Sequence, residues 1–235
     1  MSHKLSRSVR YRPSVQQHNG STGYYSKSAD LAISAGITIV CRFRWDGGTI
    51  TSAGGFNRAI AAATGPTSIL YQLAIVNDQS ADNRAGTLNF FVQSSTPATI
   101  CSVYTNTAVS DGENYTCFCE YNPTAGTAKI ILNGVSDINT GAVGHTLTTG
   151  TIETGSGLVS VGARVTADRF FNGINGYFGV RGAVGLDWQD FMTSAGQPKD
   201  IESTLSTVWG GTPLFWNQHG DMTNNRGSAG NMTKN

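Results

Sequence analysis

Hydrophobic and polar residues alternate along most of this chain in short runs. In Ile37–Trp45, the residues Ile37, Ile39, Cys41, Phe43 and Trp45 fall on one face, and Thr38, Val40, Arg42 and Arg44 on the other. A period of two marks a β-strand. Comparable runs predict strands over residues 58–62, 69–76, 87–93, 99–104, 115–121, 158–162 and 176–181. Residues 128–132 form one more, ending in Asn133-Gly134, a pair suited to a two-residue hairpin turn. Gly, Asn, Asp and Ser separate the runs, as turn residues do. Strands that follow one another this closely predict an antiparallel sandwich or barrel.

Helical signals are confined to the C-terminal part. Asp187 can cap a helix over residues 188–193 that Gly196 and Pro198 would close. A second short helix is expected over residues 198–204. From Gly211 the chain is rich in Gly and Asn and reads as an irregular strap anchored by Trp216, with one further strand at residues 214–216. No period typical of a solenoid or propeller recurs.

Composition narrows the class. Of 235 residues, 29 are Gly, 22 Ser and 27 Thr, and only 13% are charged, which argues against a helical bundle or coiled coil. A 39% hydrophobic share suffices for a packed core, and no apolar run approaches the length of a bilayer span, so no membrane partner is expected. A secretory leader is not expected either, because Arg10 and Arg12 follow the first residues without an apolar stretch. Cys41, Cys101, Cys117 and Cys119 do not read as a disulfide framework. Cys117 and Cys119 lie two apart on one strand face with parallel Cβ vectors, and no zinc-ligand spacing is present, so four reduced thiols in the core are expected.

Charge is unevenly divided. Residues 1–29 hold Lys4, Arg7, Arg10, Arg12 and Lys27 and no acid, a sum of +5, whereas the remainder sums to −4. Lys4, Arg7, Arg10 and Arg12 therefore form a candidate docking arm for an acidic partner surface. Nucleic acid is the weaker partner, since four spaced charges make a weak polyelectrolyte contact.

Several stretches, in order, resemble the laminin-G-like branch of the concanavalin A-like lectin/glucanase jelly rolls. Asn19-Gly20-Ser21-Thr22-Gly23-Tyr24-Tyr25 is similar to the family's opening, a small turn before an aromatic edge strand. Ile37–Trp45 resembles the first long core strand, and Asp111-Gly112-Glu113-Asn114-Tyr115 the turn into a central one. Lys129-Ile130-Ile131-Leu132-Asn133-Gly134 resembles the strand that closes in an Asn-Gly turn. Leu158-Val159-Ser160-Val161-Gly162 and Phe170-Phe171-Asn172-Gly173-Ile174-Asn175-Gly176-Tyr177 resemble the closing hairpin. Gly196-Gln197-Pro198-Lys199, the Trp216 region and residues 221–231 resemble extensions on such domains in tailed-phage virion proteins. The resemblance implies an all-β, antiparallel two-sheet sandwich with one or two short helices near the C-terminus. The division expected is a basic arm over residues 1–18, a sandwich over 19–196 and a strap over 197–235 packed on it.

Glucanases of the superfamily use paired carboxylates at a fixed spacing, as hydrolysis across a sugar bond requires. None of Glu113, Glu120, Glu153 and Glu202 begins that spacing, and Glu120 is expected to sit on a solvated sheet face, so no enzyme activity and no cofactor are expected. No Ser, Cys or His sits in a nucleophile motif. Asp78, Asp82 and Asn83 offer the oxygen ligands of a weak calcium candidate, against the plainer reading of an ordinary turn. Tyr24, Tyr25, Tyr104 and Tyr121, close to turns, are candidate sugar-stacking residues.

These features suggest a non-enzymatic structural protein of a phage virion, on the particle exterior and assembled in the host cytoplasm. Its partners would be other virion proteins through the arm, glycans through its loops, and further copies in an oligomer or larger assembly. The alternative is a free-standing carbohydrate-binding module or lectin, followed by a main coat protein or a degenerate glycoside hydrolase.

Overall fold

The computed structural model describes residues 23–47, 57–65, 69–76, 84–164, 169–217 and 222–235, together with the backbone of Gln16–Asn19. Alternating sequences become paired strands: β1 (Gln16–Asn19), β2 (Tyr25–Leu31), β3 (Ile37–Trp45), β4 (Arg58–Thr64) and β5 (Ile69–Ile75). There follow β6 (Thr87–Gln93), β7 (Thr99–Ala108), β8 (Asn114–Asn122), β9 (Thr127–Leu132) and β10 (Val135–Ser136). The last are β11 (Thr146–Leu147), β12 (Gly155–Val161), β13 (Asn172–Arg181), β14 (Phe215–Asn217) and β15 (Thr233–Lys234). Pairing is antiparallel throughout. One sheet runs β1-β13-β3-β8-β9-β10 with β14 also on β13, and the other runs β11-β7-β6-β5-β4-β12-β2-β15. The expected all-β sandwich is what forms. Its sheet begins at Gln16, so residues 16–18, assigned above to the arm, already pair with β13.

The facing surfaces of the two sheets enclose the main core. Phe43, Cys41, Cys117, Cys119 and Phe178 come from one sheet, and Leu73, Ile75, Phe90, Val103 and Val161 from the other. The hairpin between β9 and β10 turns at Asn133 and Gly134, with φ of 49° and 82°. Both residues are left-handed, as a primed two-residue turn needs, and the Asn-Gly pair tolerates it.

A second core lies on the outer face of the seven-stranded sheet. Val40, Phe118, Ile131 and Tyr177 point away from the first core and pack under Phe191, Met192, Ile201, Trp209 and Trp216. Gly179 of β13 permits this approach. A Cβ there would stand 2.5 Å from Cε3 of Trp216 and 2.6 Å from Cζ2 of Trp209. The covering segment therefore starts near Trp188, before the strap boundary read from sequence. It is less helical than expected. Asp187 does cap a turn through the Gln189 amide at 3.0 Å, but only the 3-10 turn Trp188–Asp190 forms. Met192 bridges to Pro198 and the Lys199 amide donates to the Phe191 carbonyl, which holds residues 198–199 extended. Helix resumes later, as the 3-10 turn Glu202–Thr204 and α1 (Leu205–Val208). No described helix is long and apolar enough to cross a membrane.

Glu120 on β8 is buried rather than solvated. Its Oε2 accepts from the amides of Gly185 and Leu186 at 2.7 and 3.1 Å, and Oε1 lies 3.0 Å from Nζ of Lys129. Oε2 thus ties the segment after β13 to the central strand, and Oε1 pairs with Lys129 of the neighbouring β9. The C-terminus is held in a similar way, because Asn235 and Tyr24 exchange backbone hydrogen bonds of 2.8 and 3.3 Å while Met232 sits in the main core.

Two substitutions test this arrangement. Trp209→Ala removes the centre of the second core and is expected to cost about 3–5 kcal/mol. Glu120→Ala removes the acceptor of the part-buried Gly185 and Leu186 amides and is expected to cost about 1–3 kcal/mol in all. Urea unfolding of both variants checks this, and midpoints equal to wild type would contradict the assigned roles.

Candidate functional site

The outer face of the eight-stranded sheet carries no second core. Along β5, Tyr71, Leu73 and Ile75 point into the main core, so Gln72 and Ala74 point outward. Along β6, Leu88, Phe90 and Val92 go inward and Asn89 and Phe91 outward. On β7 the inward residues are Cys101 and Val103, and Ser102 and Tyr104 face out. The strand register aligns these in rows. Gln72 sits opposite Phe91, and Phe91 opposite Ser102, while Asn89 lies opposite Tyr104. The row neighbours on the β4 and β5 side are Ala62 and Ala74, which reach no further than a methyl group.

Between these rows lies a groove of about 300 Å³, lined by Asn57, Ile69, Gln72, Asn89, Phe91, Ser102, Tyr104 and Arg169. Its floor is ordered by a hydrogen-bond relay. Asn89 donates through Nδ2 to Oγ of Ser102 at 3.2 Å and to the Val103 carbonyl at 3.3 Å. Ser102 in turn donates to the hydroxyl of Tyr104 at 3.2 Å. Gln72, only 5% exposed, has no protein partner for Nε2 among the described residues. A buried polar group without a partner is uncommon in folded proteins. Phe91 is half-buried and contributes an aromatic surface. Arg169 closes the β4 end of the groove. Its backbone is left-handed at φ 54°, and its carbonyl accepts from the Ala59 amide at 2.8 Å. At the other end the Arg84 guanidinium lies 4.4 Å from the centre of the Tyr104 ring. No described lining residue is a carboxylate.

The four candidate tyrosines are not gathered in one place. Tyr25 and Tyr121 are core residues, so neither offers a ring face to a sugar. Tyr121 donates to the Thr148 carbonyl at 2.7 Å, and burial pushes its phenol up to about 12. Both point inward because strand alternation carries them there, despite the turns nearby. Tyr24 is half-buried, its ring 6.1 Å from that of Phe170, and it lies outside the groove lining. Tyr104 does line the groove, but Arg84 covers its ring and the hydroxyl is its contribution. Phe91, Gln72, Asn89 and Ser102 were missed. Their signal was an outward phase within strands already predicted, two of them carrying planar amides.

Lys4, Arg7, Arg10 and Arg12 lie outside the described residues, as do Asp78, Asp82 and Asn83. Among the described residues, no three His, Cys, Asp or Glu side chains are grouped to hold a metal ion. The four thiols are free and buried, with Sγ of Cys117 and Cys119 3.3 Å apart. Burial pushes the Cys101 thiol up, and burial together with the contact to Cys117 does the same for Cys119.

No family model and no curated protein matches the sequence. Solved structures do. A Bacteroides ovatus protein named for carbohydrate binding is 14% identical with a TM-score of 0.62, over 96% of this chain and 59% of that one. A heptameric SAP-like pentraxin from Limulus polyphemus is 13% identical with a TM-score of 0.52, over 74% of this chain and 78% of that one. Domains LG4-5 of the mouse laminin alpha1 chain reach 0.43 at 15% identity, over 77% of this chain and 44% of that one. The likeness to the first two is one of fold, a two-sheet antiparallel β-sandwich of jelly-roll type.

Hydrogen bonds from Cys119 and Cys41 pull the Cys117 thiol down to about 5, but all four cysteines are buried out of reach of solvent, so all four are expected to be silent toward a disulfide reagent in native buffer. All four should react once the chain is unfolded in denaturant. Fast labelling of any thiol in the native state would contradict their placement.

Proposed function

We propose that this protein binds glycans without transforming them, through the groove on the outer face of its eight-stranded sheet. The observation that carries this reading is the chemistry of that groove. An aromatic surface from Phe91 stands beside two planar amides, a serine and a tyrosine hydroxyl, all on paired strands. Sugars present one apolar ring face and a rim of hydroxyls, which suit an aromatic surface and amide groups respectively. Small-molecule sites combine an apolar surface with a few fixed polar groups in this way. Rigid strands also hold such groups more closely than loops do. The catalytic alternative lacks support, since the groove's described lining offers no carboxylate pair and both oxygens of Glu120 are engaged.

The setting we propose is the exterior of a virion, to which the chain docks through Lys4, Arg7, Arg10 and Arg12 after assembly in the host cytoplasm. The support is the charge division, +5 over residues 1–29 against −4 in the remainder. A free-standing lectin is the alternative, in which the arm is incidental.

Glycan-array screening of the full chain tests the first part. Phe91→Ala and Gln72→Ala are each expected to weaken binding to any array hit by about tenfold, a loss of about 1.4 kcal/mol. Melting temperatures should barely change, because Phe91 is only half-buried and Nε2 of Gln72 has no described protein partner. A blank array, or undiminished binding by both variants, would overturn the groove reading. Deletion of residues 1–15 tests the second part. Incorporation into particles should fall while the sandwich stays folded, and unchanged incorporation would remove the docking role.

A further inference from the structure

Three of the four thiols form one contact chain in the main core. Strand alternation puts Cys41 on the inward face of β3, and Cys117 and Cys119 on that of β8. In the antiparallel register Cys41 stands directly opposite Cys117, and its thiol hydrogen-bonds to that of Cys117. Directly opposed residues on antiparallel strands have Cα atoms about 4.5–5.5 Å apart, whichever kind of pair they form. A disulfide spans Cα separations of about 4.4–6.8 Å, so this pair can close without moving the backbone. The other pairings fit less well. Sγ of Cys119 touches that of Cys117 at 3.3 Å, but the two lie two apart on one strand, with Cβ vectors that run parallel. Cys101 belongs to the other sheet, and stacked sheets lie about 10 Å apart.

We infer that Cys41 and Cys117 are an oxidisable pair that closes into a cross-strand disulfide between β3 and β8, with glutathione disulfide or a similar small disulfide as the oxidant. One cysteine thiolate attacks a sulfur of glutathione disulfide, forms a mixed disulfide and expels one glutathione thiolate. The second cysteine, as its thiolate, attacks the protein-bound sulfur and expels the other. One S–S bond breaks in the oxidant and one forms in the protein, and two electrons and the two thiol protons end on two glutathiones. Burial confines this exchange to moments when the sheet is transiently open, and reclosure brings Cys41 and Cys117 back into register. A reducing compartment keeps the pair as thiols, and an oxidising one closes it. The bridge links two strands far apart in sequence, so it restricts the unfolded chain more than a link between Cys117 and Cys119 would. Neither the groove nor the N-terminal arm takes part.

The test oxidises the full-length protein with glutathione disulfide in urea just below its unfolding midpoint, where molecules open and reclose, and then alkylates the remaining thiols. Chymotryptic mapping assigns the bridge, since cuts after Tyr104, Tyr115 and Phe118 separate Cys101, Cys117 and Cys119. The expected product has lost two hydrogens, about 2 Da, joins the Cys41 and Cys117 peptides, and carries alkyl groups on Cys101 and Cys119. It should unfold at a higher urea concentration than the reduced protein. In fully unfolding urea the same bridge should be a minor product, because register no longer selects it. In Cys41→Ser the loss of two hydrogens should disappear and leave glutathione adducts, since Cys119 is a poor substitute, whereas Cys101→Ser should leave the bridge unchanged. If a variant misfolds, the wild-type map still decides. A bridge from Cys117 to Cys119 or to Cys101, adducts without a bridge, no reaction, or a bridged form less stable than the reduced one would each overturn the pairing.

Discussion

Two indoles packed against a bare backbone decide how the rest of this molecule is used. Trp209 and Trp216 meet edge to face at 5.8 Å and lie over Gly179, where a side chain of any size would push them off the sheet. Phe191 meets Trp209 edge to face at 4.8 Å, and Tyr177 lies 5.5 Å from Trp216. The result is that the seven-stranded sheet is buried on both faces over much of its area. Val40 and Phe118 are as deeply buried on its outer side as Cys41 and Cys117 are on the inner one. The groove lies on the outer face of the other sheet.

The two faces are paired with opposite chemistries for a physical reason. Under the strap, water is excluded, so polar groups there need internal partners, as Glu120 has with two amides and a lysine. On the outer face of the other sheet, buried polar groups are ordered by one another. Asn89, Ser102 and Tyr104 do this in series, and all three line the groove.

Much of the fold was legible in the residues. The β3 alternation and the Asn133-Gly134 turn follow from local backbone geometry, which repeats every two residues in a strand and needs φ > 0 in the turn. The C-terminal helices were less legible. Asp187 was read correctly as a cap, yet the turn it starts ends after three residues because Met192 bridges to Pro198. That bridge is made by packing against the sheet, and no local propensity encodes it. Tyr25 and Tyr121 turned out to be core residues for a related reason. Nearness to a turn says little about exposure when the side chain's phase points it into the core.

The sequence by itself determined the strand set, the class, the reduced cysteines' place in the core and the charge division between the first 29 residues and the body. Each of these depends on neighbouring residues or on sums over the chain. Only the tertiary structure decided which sheet face is covered, which tyrosine reaches a ligand surface, and that Gln72, Asn89, Phe91 and Ser102 share one groove. Residues 72 and 102 are brought together by two successive strand pairings, and register across non-adjacent segments is a property of the assembled sheet. Periodicity tells each strand which of its residues share a face, but the choice of covered face belongs to Trp209, Trp216 and the glycine that admits them.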